Sequence, residues 1–154
     1  MKPLPGEGGY YVETFRSPEK IILTDMPIGE RNLGTAILYL LTPATTSQLH
    51  RLKSDEMFHF YLGDPVTMLQ LHPDCSSEII TLGQDILNGQ RIQLTVPKDT
   101  WQGAFLKQGG KFALMGTTVT PGFEFDDFEP GRQEELLRRY PNRKNLILQL
   151  TQKK

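Results

Sequence analysis

Along the chain, apolar stretches of four to eight residues, rich in Val, Ile, Thr, Phe and Tyr, alternate with clusters of Gly, Pro, Asp and Asn. This pattern predicts strands over Tyr10–Phe15, Ile21–Thr24, Thr35–Leu41, Gln48–Leu52, Glu56–Leu62, Val66–His72, Glu78–Leu82, Arg91–Val96, Trp101–Phe105 and Phe112–Val119. So many short strands exceed one flat sheet. Gly63-Asp64-Pro65, His72-Pro73-Asp74, Asn88-Gly89 and Gly109-Gly110 have the chemistry of tight turns. Within Arg91–Val96 the alternation places Ile92, Leu94 and Val96 on one side and Arg91, Gln93 and Thr95 on the other, as in a half-buried antiparallel strand. Glu56–Leu62 is bulky on both faces, so one face is expected inside and the other against a second layer or a subunit. A helix is predicted over Arg132–Tyr140, with Glu134 and Glu135 early, Arg138 and Arg139 late, and Pro141 as the stop. Met1–Gly9 and Pro121–Pro130 read as irregular, and Asn145–Leu150 as either a last strand or a docked helix.

At 154 residues the chain is expected to be one domain spanning 1–154. The 17 Lys and Arg against 18 Asp and Glu leave a net charge of −1, which gives no general attraction for phosphate backbones or anionic lipid, so no nucleic-acid partner is expected. No apolar run nears the roughly 20 residues of a spanning helix, and no membrane association is expected. The first nine residues carry Pro and Gly where a secretory signal has a continuous apolar core, which makes a soluble, cytoplasmic protein the expectation. The lone Cys75 has no partner for an intramolecular disulfide.

The chemistry concentrates between Leu49 and Pro65, where His50 lies in a polar strand and Glu56 opens an aromatic strand that ends at Gly63. Gly89, and then Val96-Pro97-Lys98-Asp99-Thr100-Trp101-Gln102, follow further on. The two segments, in this order, resemble the two motifs of the cupin superfamily. The likeness narrows to the DUF985 or cupin-5 type through Glu7-Gly8-Gly9-Tyr10-Tyr11, Glu13-Thr14-Phe15-Arg16-Ser17, Ser54-Asp55-Glu56, His59-Phe60-Tyr61 and Phe123-Glu124-Phe125-Asp126-Asp127-Phe128, covering roughly residues 7–130. It implies an all-β, double-stranded β-helix of the RmlC-like jelly-roll kind with an interior pocket, followed by the short C-terminal helix, and a homodimer. Such closure hides most strand edges. It does not carry a reaction with it.

The resemblance also implies a metal-binding set of His and Glu side chains, and here the chain departs from it. Only His50 stands in the polar strand, one position away from either usual His, and Gln102 occupies the second-motif His position. A bulge or turn is needed to aim His50 at Glu56. His59 lies three residues after Glu56 and so points to the opposite face of a regular strand. No cofactor is therefore predicted, with a divalent metal on His50 and Glu56 kept as an alternative.

The principal expectation is a binding module for a small polar or carbohydrate-like molecule, lined by His50, Glu56, Phe58, Phe60 and Gln102. Parity sends Ala104 inward with Gln102, and Trp101 and Phe105 outward into packing. An alternative is a metal-free isomerase or epimerase in which His50 is the general base, Glu56 orients its ring and Tyr61 or Tyr11 donates a proton. A further alternative is metal-dependent chemistry on His50, Glu56 and His59. Phe123 and Phe125 are expected to anchor a loop whose acids stay solvated, His72 to face solvent, and Gly8 and Gly9 to allow a close backbone approach.

Overall fold

A computed structural model describes residues 1–24 and 29–151; positions 25–28 and 152–154, part of the domain expected over 1–154, lie outside the described residues. The strands are β1 (Lys2–Pro3), β2 (Tyr10–Arg16), β3 (Lys20–Leu23), β4 (Gly29–Asn32), β5 (Thr35–Leu41), β6 (Thr46–Arg51), β7 (Asp55–Gly63), β8 (Val66–Leu71), β9 (Ser77–Leu82), β10 (Gln93–Val96), β11 (Trp101–Leu106), β12 (Ala113–Thr120) and β13 (Glu129–Pro130). Two helices follow, α1 (Gln133–Arg139) and α2 (Lys144–Leu150). One sheet has the order β1-β2-β5-β12-β7-β10 and the second β13-β6-β11-β8-β9, with β3-β4 as a separate hairpin.

The two large sheets face each other as a double-stranded β-helix, and period-two alternation fills the space between them. Tyr39 and Leu41 from β5, Phe58 and Phe60 from β7, and Met115 from β12 meet Val66 and Met68 from β8 and Ala104 and Leu106 from β11. The outer face of the smaller sheet is covered as well. Leu49, Leu69, Leu71 and Trp101 pack beneath Leu136 and Tyr140 of α1 and its flank and Ile147 and Leu150 of α2. That third layer explains why β8 is buried nearly throughout. As parity requires, Ala104 joins the interior while Trp101 and Phe105 join the outer cluster.

Several expectations are corrected. Of the two forms expected for Asn145–Leu150 the docked helix is the one adopted, so the C-terminal region holds two short helices rather than one. Strands β1 and β13 form in stretches expected to be irregular, each by adding two residues to the edge of a sheet. Strand β4, unanticipated because Gly29-Glu30-Arg31-Asn32 lacks apolar alternation, pairs with β3. Ile92 does not share the buried side of Leu94 and Val96: β10 begins only at Gln93, and Ile92, 51% exposed, precedes it. His72 is half-buried in a tight turn, with its N–H bonded to the Ser76 carbonyl. Asp127 is buried and holds Arg31 at 2.9 Å, while Phe125 is exposed. No helix among the described residues is long and apolar enough to cross a membrane.

Candidate functional site

The interior changes character toward one end. Strand β7 is extended, so Glu56, Phe58 and Phe60 share its inner face, and one two-residue step separates the carboxylate from the first aromatic ring. On β6, Ser47 and His50 both turn inward although they are three positions apart. The register makes this possible: Ala104 of β11 pairs with Ser47 and Gln102 with His50, so β6 carries an extra residue between the pairs. This bulge turns His50 into the cavity that Glu56 also lines.

His50 is 1% exposed and Glu56 7% exposed. The Gln102 Nε2 donates to Glu56 Oε2 at 2.7 Å, bridging the sheets. The other amide atom, Oε1, is buried without a partner. The His50 Nδ1 lies 2.8 Å from the Gln48 carbonyl oxygen. A carbonyl only accepts, so Nδ1 carries the hydrogen and Nε2 is the basic nitrogen of the neutral ring. The ring stacks on Phe128 at 5.0 Å, and Nε2 faces Glu7 Oε2 at 3.6 Å. Glu7 arrives from the loop between β1 and β2, its Oε1 accepting from Ser47 Oγ at 2.7 Å and its main-chain oxygen from the Gln48 N–H at 2.8 Å. Gly8 makes that course feasible: at φ +102°, a Cβ there would lie 2.3 Å from the Thr46 oxygen.

Burial, and then the charge of Glu7, push the Glu56 carboxyl above its ordinary value, against the opposing pull of His50 and of hydrogen bonds from Thr117 and Gln102. Burial drives the Tyr39 hydroxyl well above its usual value, and that hydroxyl donates to the Gly8 carbonyl at 2.9 Å. His50, Glu7, Glu56 and Thr117 line the deep part of a cavity of about 90 Å³, with Tyr11, Glu13, Arg16, Phe123, Glu124 and Phe125 among its other walls. With roughly 10–15 Å³ of such space per water, it has room for several waters or a small polar molecule.

The structure thus brings His50 and Glu56 together, with Gln102 bonded behind Glu56. Other expected site residues lie elsewhere. Phe58 and Phe60 belong to the packed hydrocarbon and do not line the cavity. Tyr61, 46% exposed, is on the outer face of β7 against Gly116, whereas Tyr11 lines the cavity. His59 shares that outer face, with Nε2 at 3.2 Å from Thr118 Oγ1 and its ring stacked on Tyr61, which separates it from His50 and Glu56. Among the described residues no group of three or more His, Cys, Asp or Glu side chains is arranged to hold a metal ion. Gln102, moreover, presents its N–H rather than its oxygen to Glu56. The residues present do not fit the His-rich metal set of the cupin motifs. Sequence reasoning missed Glu7 and Thr117 as cavity residues; the Gly8-Gly9 pair beside Glu7 was the available signal.

Two antiparallel sheets rolled around a polar pocket define a cupin. The chain belongs to the cupin superfamily family described as DUF985, whose model matches residues 1–130. It is similar to protein SO0799 from Shewanella oneidensis, at 37% identity over 96% of this chain and 89% of that one, with a TM-score of 0.82. A hypothetical protein from Leishmania major is 32% identical, over 99% and 93% of the two chains, with a TM-score of 0.88. The uncharacterized protein YML079W of Saccharomyces cerevisiae is 29% identical over 79% of this chain, which spans 66% of the yeast protein's length.

Proposed function

We propose that the protein binds a small polar molecule in this cavity. The observation that carries the reading is the convergence of a buried imidazole and two carboxyl groups on an otherwise partly aromatic, enclosed space. Such groups are costly to bury unless each has a partner, and His50 Nε2 and Glu7 Oε2 face one another just beyond hydrogen-bonding distance. Both are acceptors, so a ligand hydroxyl donates to one of them and an amine to both. Mass spectrometry of small molecules released from the purified protein, followed by titration of the species found against wild type and His50→Ala, tests this. A ligand that is retained by wild type and lost by the variant supports the reading; protein that releases and binds nothing overturns it.

One observation favours a second reading, proton transfer next to a carbonyl. The Nδ1–H bond to Gln48 holds the ring in the tautomer that leaves Nε2 basic. Tyr11 is then the donor opposite. Turnover lost in His50→Gln with ligand affinity retained supports it, and parallel loss of both returns the site to recognition alone. The proposal extends to a cytoplasmic homodimer: exposed Val12 and Phe15 on β2 offer apolar surface, and the free, exposed Cys75 suits a reducing compartment. Sedimentation equilibrium and cell fractionation test those two points.

A further inference from the structure

We infer that the cavity selects a small organic cation, an amine rather than a carboxylate, phosphate or neutral polyol. The inference rests on the reading that the cavity binds a ligand, and it adds the ligand's charge. Four carboxyl groups line the wall, Glu7, Glu13, Glu56 and Glu124, against one guanidinium, Arg16, and one imidazole, His50. The arginine is the residue that an anionic ligand would need.

Arg16 has no donor to give. Its Nε–H bonds Glu13 Oε1 at 3.0 Å, Nη1 bonds Asn32 Oδ1 at 3.0 Å and Glu124 Oε1 at 2.8 Å, and Nη2 bonds Glu13 Oε2 at 2.8 Å and the Phe123 carbonyl at 3.2 Å. A guanidinium has five N–H groups, and all five are engaged. Two carboxylates already share this one cation, so the outer part of the cavity carries a negative excess before any ligand arrives.

The deep part has the same sign and is short of donors. The only hydrogen that His50 carries in its neutral form is spent on Gln48, and its Nε2 lone pair faces the Glu7 carboxylate at 3.6 Å. Protonating His50 lets the imidazolium answer one of the two neighbouring carboxylates. Protonating Glu56 leaves Glu7. With both of those protons bound, the carboxylates of the wall still outnumber its cations.

An ammonium fits these vacancies in a way that a hydroxyl does not. It offers three donors, to Glu7 Oε2, His50 Nε2 and the Glu56 carboxylate, and it brings the charge the wall lacks. The aromatic walls suit the same ligand. Phe123 and Phe125 line the cavity edge to face at 5.2 Å, and π faces attract cations, as the Tyr11 ring already does with Lys2 Nζ at 5.4 Å. A carboxylate or phosphate would meet the same surfaces with the wrong sign, and the guanidinium in the wall is already engaged.

The test is ligand-observed NMR on the full chain at neutral pH, with size-matched sets of primary amines, neutral polyols and carboxylates. Hits are assigned to the cavity by amide shifts at Glu56 and Thr117 and ranked by affinity. Amines are expected to lead, with their affinity falling about tenfold or more in Glu7→Gln and in Glu56→Gln and weakening with salt. Because the ranking and the salt dependence come from wild type, they stand even if a variant folds poorly. Polyols or carboxylates that bind in the cavity as tightly as amines, or amine binding indifferent to salt and to both substitutions, overturn the inference but leave the cavity a binding site. No cavity hit from any set overturns the binding reading and this inference together.

Discussion

The two ends of the space between the sheets are built from the same strands and differ in what they do. At one end, Phe58, Phe60, Met68, Ala104, Leu106 and Met115 pack into continuous hydrocarbon. At the other, Glu56 on β7, Gln102 on β11 and Thr117 on β12 stand one step along the same inward faces from Phe58, Ala104 and Met115. Along β7, β11 and β12 the backbone does not distinguish them, because these strands carry the same inward face through both, while β6 adds its bulge on the side of His50. The difference shows that in a rolled sheet the border between core and site is drawn by two-residue steps in sequence rather than by a change of element. The apolar end supplies stability, and the polar end is held up by it.

That division can be attacked from either end. The largest effect is expected from Phe58→Ala, which opens a void in the packed half and lowers stability by about 3–5 kcal/mol in chemical denaturation. A loss under about 1 kcal/mol would mean that this half is not packed around Phe58. Gly8→Ala comes next. Its Cβ meets the Thr46 main chain in a conformation unsuited to L residues, so a cost of about 1–3 kcal/mol is expected. Chemical denaturation measures it, and a loss under about 0.5 kcal/mol would mean that the chain at Gly8 does not run against Thr46.

Glu56→Gln acts in the opposite direction. The folded Glu56 carboxyl has its pKa raised, chiefly by burial, so its contribution to stability is full below the unfolded value and is lost as pH rises through the folded one. Wild type should therefore lose ground to the variant from the acid range upward and hold a constant difference above the folded pKa. Urea unfolding of both proteins across that range checks the sign, and parallel curves would contradict a raised pKa. The smallest effect belongs to Tyr61→Phe. On the outer face its hydroxyl should matter by no more than about 0.5 kcal/mol, with ligand binding untouched. A large loss of binding would return Tyr61 to the site.

Most of the fold was legible because alternation is a local signal. The strands from Thr35–Leu41 through Phe112–Val119 appear with small shifts at their ends, and parity alone placed Ala104 and Trp101 correctly. Strands β1, β4 and β13 were not legible, since two- and four-residue polar strands form only when an edge or a partner is supplied by the rest of the molecule. At the site, the His50–Glu56 pairing hung on a bulge that the spacing demanded and β6 supplies. Glu7 and Thr117 were hidden for another reason: they come to the cavity from a distant loop and a distant strand, and nothing local marks a residue as the wall of a space formed elsewhere. Phe58 and Phe60 show the reverse error, for facing inward is not the same as facing the hollow part of the inside.

Glu7 joins two duties in one residue. Its main chain clasps the leading segment to β6 through Gln48, while its side chain furnishes an acid beside His50. Damage to those first few residues would therefore be felt twice, as a loosened seam and as altered chemistry. Only an exchange confined to the carboxyl tip, which spares the main-chain clasp, can tell the two injuries apart.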